Sequence, residues 1–262
     1  MRHALTLAAM LVAVCFLFST GTPRALQEAA GAGAVPAPLA TPALTEPCPE
    51  GIDDIDHCTM PGGCGELGDD LLNRAKNRTD MPPATAQVQV MSTAEMKALP
   101  QPKTWDTGMS REKVRQAGEG KLVSLTGYLQ VAKHEGAESC NCDLTRRADT
   151  DVHMVMVSDL EDEETDSVTA EITPRFRESA NHLPGWLWVN VKNNLEGEYI
   201  RVTGRLMLDT KHIPQLHRLQ GERANKGLAR ATNWEVHPIM RIEVCRKSTT
   251  ACDQGKGWEP YN

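Results

Sequence analysis

The chain has 262 residues and a formal net charge of −7, from 28 Lys and Arg against 35 Asp and Glu. This acidic balance argues against a general polyanion binder, whose affinity depends on many basic side chains that release counterions. Two domains of about 100–150 residues each would fit the length. A hydrophobic content of 40% with 20 Gly and 16 Pro instead favours one modest core.

The N-terminus has the pattern of an export signal. A basic start with Arg2 precedes the apolar run 4–18, and small residues follow up to Ala25. No later apolar run approaches the about 20 residues that span a bilayer. We therefore predict a signal peptide over 1–25 and export to the periplasm or the extracellular space, with an uncleaved N-terminal anchor as the alternative. Lipidation of Cys15 is not expected, because Val14 precedes it where a small residue is required.

Composition divides the rest of the chain into three parts. Residues 26–47 are rich in Ala and Pro and predict a disordered linker. Residues 48–90 predict a Cys-rich, irregular segment, and residues 91–262 predict an OB-fold-like domain with a helical lead-in. Periodicity and capping signals predict short helices ahead of the strands, over 66–78, 92–99 and 110–117.

Seven cysteines remain outside the apolar run, and in an exported chain they are expected to form disulfides. Cys245 and Cys252 enclose six residues and predict a local disulfide. The pairing of the other five stays open at this stage: Cys48, Cys58, Cys64, Cys140 and Cys142. Because five is odd, we expect one free thiol or one intermolecular bridge. Zinc at Cys140-Asn141-Cys142 is disfavoured, since zinc sites usually separate two cysteines by two to four residues.

From residue 121 onward, the sequence pattern is typical of β-strands. The strand patterns cover 121–133, 152–157, 167–173, 198–208 and 233–244, with a helix pattern over 184–195. This order predicts a mainly β fold, a five-stranded OB-fold-like Greek-key barrel with a helix between strands three and four. Gly127 interrupts the first strand, as is typical of a strand that bends between two sheets. An open twisted sheet packed on the helix is the alternative.

Two long loops lie where OB-folds bind their ligands. Residues 133–151 connect the first two predicted strands, and residues 209–232 connect the last two. Both carry charged and His side chains, among them Asp209, His212 and Arg230. Long loops without secondary structure of their own are often functional. The alternative is that both loops are merely solvated.

Strand alternation places several His and carboxylate side chains on one face of the predicted sheet. The set that this alternation brings together is His153, Glu171, Asp209, Glu235 and His237. Such a mixture of imidazoles and carboxylates suits a divalent metal. The alternative is structural: Glu235 and His237 would bond neighbouring strands, and Asp209 would cap a loop.

Four segments carry a resemblance to a known group of proteins. They are Glu138-Ser-Cys-Asn-Cys142, Asp151-x-His153, 202–209 (VTGRLMLD) and 234–238 (WEVHP). Together they resemble bacterial exported OB-fold-like proteins of unassigned function over about residues 90–245, which implies a fold rather than a reaction. Residues 205–210 also have a superficial likeness to staphylococcal-type nucleases. The catalytic residues of those nucleases are not carried over, because the segment follows the helix here and Lys211-His212 stands near the place of the catalytic glutamate.

The sequence thus predicts an exported binding module with an unidentified ligand, whether nucleic acid, oligosaccharide or protein. Net charge does not favour nucleic acid. The predicted ligand-binding residues are His153, Glu171, Asp209, His212, Arg230, Trp234, Glu235 and His237. One alternative is a metal-dependent phosphodiesterase or nuclease that uses the His and carboxylate side chains. Another is an envelope interaction protein that cross-links through its Cys-rich segment. No cofactor or particular metal is indicated.

Overall fold

The computed structural model describes residues 44–66, 68–106, 109–179, 184–213 and 230–262. The predicted signal peptide over 1–25, most of the predicted 26–47 linker and residues 214–229 of the second long loop lie outside the described residues. Among the helices of the described ranges, none has the length and apolar character needed to cross a membrane.

The described chain forms seven strands and six short α-helices. In chain order they are α1 (Asp70–Lys76), β1 (Gln89–Ser92), α2 (Thr93–Lys97), α3 (Glu112–Ala117), β2 (Leu122–His134), β3 (Val152–Val157), β4 (Val168–Ile172), α4 (Pro174–Ser179), α5 (Trp188–Leu195), β5 (Tyr199–Leu208), β6 (Trp234–Cys245), α6 (Thr249–Asp253) and β7 (Trp258–Tyr261). Strands β2 to β6 are the five predicted strands. Strands β1 and β7 were not predicted, because four residues give too few alternations to reveal a period.

The five predicted strands close into a barrel, so the open-sheet alternative is wrong. Strand β2 pairs with β3, β3 with β4, β4 in parallel with β6, β6 with β5, and β5 with β2. Helices α4 and α5 lie between β4 and β5 in the chain, as the OB-fold order requires. Gly127 lies in β2 where the strand passes from one partner to the other. A Cβ there would lie 2.7 Å from the carbonyl oxygen of Val157, so only glycine fits without movement.

The barrel interior holds the alternating apolar side chains of these strands. In β2 the predicted positions Val123, Leu125 and Leu129 are buried in the core, but Val131 is not part of it. Ala132 takes its place, because the pairing register with β3 shifts between Leu129 and Val131. A β-bulge of this kind inserts one residue and reverses which face the following side chains occupy.

Three disulfides tie the described chain together. They are Cys48–Cys64, Cys58–Cys142 and Cys245–Cys252. The predicted Cys245–Cys252 bridge is confirmed, and Cys140 is a buried free thiol. The cysteines of the predicted irregular segment all pair within the chain, so none of them is left for cross-linking to a partner. Three disulfides indicate an oxidising environment.

Helix α1 and the 3₁₀ turn Ser139–Asn141 lie against each other on the outside of the barrel, where α1 contacts β6. Asn73 Nδ2 donates to the carbonyl oxygen of Gly62 (2.7 Å) and to Ser139 Oγ (3.0 Å). Leu72, Asn73 and Lys76 of α1 are buried, whereas Leu71 is 40% exposed. The buried side of the helix therefore includes polar side chains.

Candidate functional site

The His and carboxylate side chains of β3, β4 and β6 lie on the outer face of the barrel, opposite the apolar core. His153 of β3 is directly opposite Glu171 of β4, and Thr169 of β4 is opposite Glu235 of β6. His153 is 6% exposed, Glu171 4%, Glu235 1% and His237 0%. A face that strand alternation alone would leave in water is thus buried beneath other parts of the chain.

Ion pairs connect these side chains in sequence. His153 Nδ1 lies 2.8 Å from Glu171 Oε1, and His237 Nδ1 lies 2.9 Å from Glu171 Oε2. His237 Nδ1 also lies 3.3 Å from Glu235 Oε2. One carboxylate, that of Glu171, therefore joins two imidazoles from two different strands.

The chain of ion pairs continues into the second long loop. Glu235 pairs with Arg230, whose Nη2 donates to Asp209 Oδ2 at 2.8 Å. Asp209 in turn pairs with His212. The structure thus brings seven of the eight predicted ligand-binding residues into one network. All five residues predicted to converge by strand alternation belong to it.

Trp234 is the exception, because its side chain does not join the network. Its side chain is fully buried in the barrel core. Its indole N–H donates to the carbonyl oxygen of Pro100 at 2.9 Å. Alternation along β6 places it on the face opposite Glu235, so it stabilises the barrel rather than contacting anything bound at the network.

The two buried imidazoles are held in a strongly acidic environment. Burial lowers the pKa of His153, but Glu135 and Glu171 outweigh burial and raise it to about 9. Burial likewise lowers the pKa of His237, and Glu171, Glu235 and Asp151 raise it to about 10. Burial raises the pKa of Glu171, yet His237 and His153 hold it well below its usual range. Each imidazole thus lies where positive charge is strongly favoured.

Asp151 extends the network toward the 3₁₀ turn. Asn141 Nδ2 donates to Asp151 Oδ1 at 2.8 Å, and Asp151 Oδ2 lies 3.5 Å from His237 Nε2 without a hydrogen bond. Glu171 Oε2 is also buried without an aligned hydrogen bond, although it is within ion-pair distance of His237. Burial raises the pKa of Asp151 to about 7. Asp151 Oδ2, Glu171 Oε2 and His237 Nε2 are thus all buried without a hydrogen bond among the described residues.

A cavity of about 300 Å³ opens beside the network, between the loop after β2 and the residues that follow β5. Five of the predicted residues line it: His153, Glu171, Asp209, His212 and Arg230. Glu235 and His237 are not among its lining residues. The cavity therefore lies beside both of the loops that OB-folds use for ligands.

Among the triads of side chains that have the composition and spacing of metal-ligand sets, two share Glu171. In Glu135, His153 and Glu171, one ligand atom from each residue lies within 4.8 Å of the other two. The same holds for Asp151, Glu171 and His237. The first triad lines the cavity, and the second is fully buried. Glu171 belongs to both.

Sequence reasoning did not assign three side chains of the site: Lys76, Glu135 and Glu138. Lys76 Nζ lies 2.8 Å from Glu138 Oε1 and is 6% exposed in its side chain. Glu135 follows the last residue of β2 directly, so its position at a strand end next to a predicted ligand loop was a usable signal. Lys76 had no such signal, because a helix far away in sequence brings it to the site.

Comparison with protein-family models, with characterised proteins and with solved structures gave no match. The resemblance to exported OB-fold-like proteins stays a prediction, and the functional argument depends on the geometry of the site.

Proposed function

We propose that this protein is an exported OB-fold-like binding module whose cavity holds a divalent cation and, through it, a small phosphate-bearing ligand. The observation that carries the proposal is the triad of Glu135, His153 and Glu171. His153 Nδ1 lies 3.1 Å from Glu135 Oε1 and 2.8 Å from Glu171 Oε1. Two carboxylates and one imidazole at these distances are a donor set suited to Mn²⁺, Fe²⁺ or Zn²⁺.

Access to the triad supports a ligand-binding role over a purely structural one. The Glu135 side chain is 33% exposed, and all three residues line the cavity. A metal site with protein ligands on one side and an opening on the other keeps coordination positions for water or a ligand. A closed structural site would leave none.

The cationic side chains around the cavity favour a phosphate-bearing ligand. Lys76, Lys133, Lys211 and Arg230 line the same cavity as the triad. Three of them have carboxylate partners, while Lys211 is exposed and has no ion pair within the described part of the chain. A free lysine beside a metal is a typical arrangement for binding phosphate oxygens. Among the described lining residues no Phe, Tyr or Trp is present on which a sugar or base would stack.

Calorimetric titration of chelator-treated protein with Mn²⁺ tests the cation. Glu135→Gln removes one proposed ligand and is expected to weaken Mn²⁺ binding about tenfold or more, because cation affinity depends on the number of charged ligands. Glu164→Gln is the matched control, since Glu164 lines the cavity but pairs with Lys133 instead. Equal affinity in the two variants would contradict the proposal.

Thermal-shift measurements with inorganic phosphate test the anion. A ligand that binds the native state raises the melting temperature by mass action. We expect phosphate to raise it only when Mn²⁺ is present, and Lys211→Gln to reduce that shift without changing Mn²⁺ affinity. A phosphate effect independent of both Mn²⁺ and Lys211 would contradict this assignment.

One further observation favours hydrolysis as a second candidate function. His212 at the cavity pairs with Asp209, and a carboxylate that orients an imidazole is a common arrangement for a general base. A metal-bound phosphodiester with such a base nearby would support metal-dependent phosphodiesterase activity. In an assay with bis(p-nitrophenyl) phosphate and Mn²⁺, His212→Ala should then lower the rate about 100-fold or more while metal content stays the same. A Mn²⁺-loaded protein that does not hydrolyse this substrate would leave only the binding role.

A further inference from the structure

The carboxylate of Glu171 lies between the two ligand triads and presents one oxygen to each. Oε1 is 2.8 Å from His153 Nδ1 in the triad that opens to the cavity. Oε2 is 2.9 Å from His237 Nδ1 in the buried triad with Asp151. A carboxylate placed in this way has the arrangement of a bridge between two metal ions.

The buried triad has three potential ligand atoms that make no hydrogen bond. Asp151 Oδ2, Glu171 Oε2 and His237 Nε2 are all buried and make no hydrogen bond within the described residues. A buried polar atom without a hydrogen bond destabilises the folded state, and most native structures avoid such atoms. Because one ligand atom from each of Asp151, Glu171 and His237 lies within 4.8 Å of the other two, a single cation could bind all three residues.

Charge at the buried triad points to the same conclusion. Carboxylates of Asp151, Glu171 and Glu235 all lie within 3.5 Å of the His237 ring nitrogens. Arg230 pairs with Glu235, and His153 pairs with Glu171 Oε1, which leaves Asp151 and the second oxygen of Glu171 facing one imidazole. A divalent cation would neutralise both and would let the imidazole bind in its neutral, ligating form.

We propose that the site binds two divalent cations bridged by Glu171. Glu135 and His153 hold the outer cation beside the cavity, and Asp151 and His237 hold the inner one beneath it. The outer cation is the one already proposed above, so this inference depends on the proposed function for that cation and adds the inner site. Asp151 also forms a ligand-like triad with Glu138 and Cys140. Since Glu138 lines the cavity, it offers a route by which the inner cation enters.

The two-cation arrangement is tested on the full-length protein with Mn²⁺ alone. Chelator-treated protein is loaded with Mn²⁺ and freed of excess ion, and its metal content is measured by mass spectrometry. Electron paramagnetic resonance of the same sample distinguishes isolated Mn²⁺ from a pair coupled through a bridge. The expected result is two Mn²⁺ per chain with an exchange-coupled spectrum.

Isosteric variants separate the two positions. Asp151→Asn is expected to leave one Mn²⁺ per chain with an uncoupled six-line spectrum, and Glu135→Gln is expected to do the same by removing the outer ion. Glu171→Gln should lower the affinity for both ions. Glu164→Gln, the cavity control, should keep two coupled ions.

Each outcome decides the question. One uncoupled Mn²⁺ in the unaltered protein, lost in Glu135→Gln but kept in Asp151→Asn, would overturn the inner site and leave the proposed function intact. Absence of bound Mn²⁺ would overturn both. If Asp151→Asn does not fold, the stoichiometry and coupling of the unaltered protein still decide between one ion and two.

Discussion

The disulfide between Cys58 and Cys142 is expected to contribute far more to stability than the disulfide near the C-terminus. It closes a loop with a sequence separation of 84, whereas Cys245–Cys252 closes one of 7. The chain-entropy relation then gives about 4.5 kcal/mol for the long loop and about 2.4 kcal/mol for the short one. A long unbridged chain has more conformations to lose on folding, which is the source of the difference.

The effects of the two disulfides on the free energy of unfolding can be compared directly. All four cysteines are at most 8% exposed, so replacing each pair by alanine removes similar packing. Urea denaturation under non-reducing conditions should give a free energy of unfolding lower by about 4.5 kcal/mol for Cys58→Ala/Cys142→Ala. The loss for Cys245→Ala/Cys252→Ala should be near half of that value. Losses that agree within about 0.5 kcal/mol would refute the loop-length reasoning.

The long-loop bridge also has a local consequence that the short one lacks. Cys142 follows the 3₁₀ turn Ser139–Asn141, and Asn141 Nδ2 donates to Asp151 Oδ1 at 2.8 Å. Removing the Cys58–Cys142 bridge should therefore loosen the position of Asp151 and weaken Mn²⁺ binding, whereas removing the C-terminal bridge should not. Mn²⁺ titration of both double variants measures this. Equal Mn²⁺ affinities would show that the bridge does not position the site.

Three further results are expected. Asp209→Asn should lower stability at pH 7 by about 3–5 kcal/mol in urea denaturation, because it leaves the buried Arg230 without one of its carboxylates. Burial raises the pKa of Asp209, but His212 and Arg230 hold it well below the usual value of 3.8. The stability that Asp209 contributes is therefore present above pH 3.8 and is lost as the pH falls through its pKa in the folded protein, so the difference in stability between variant and parent should narrow in acid. A difference in stability that widens in acid would contradict this sign. Gly204→Ala should lower the melting temperature, since its Cβ would lie 2.3 Å from a carbonyl oxygen of β6, while Gly136→Ala, with nothing within 4 Å, should leave the melting temperature unchanged. Cys140, 2% exposed, should be alkylated only after unfolding, as peptide mass spectrometry will detect; rapid labelling of the native chain would contradict its burial.

The sequence determined the barrel because strand alternation and helix position are local properties. Strands β2 to β6 each show a period of two, and the glycine within β2 indicates from the sequence alone where that strand bends. The same alternation placed His153, Glu171, Glu235 and His237 on one face. Their convergence across strands then followed from the OB-fold order. The local Cys245–Cys252 bridge was visible for the same reason: its two ends are close in the chain.

Tertiary structure alone decided what covers that face. The sequence gives no local signal that α1 brings Lys76 to Glu138, 62 residues further along the chain, or that Cys58 bridges to Cys142 across 84 residues. It also gives no sign that a β-bulge exchanges Val131 for Ala132 in the core. Contacts between distant segments depend on which surfaces remain exposed once the barrel has closed. Those contacts bury the His and carboxylate side chains that the sequence placed on one face, and they connect these side chains into a cluster beside a cavity.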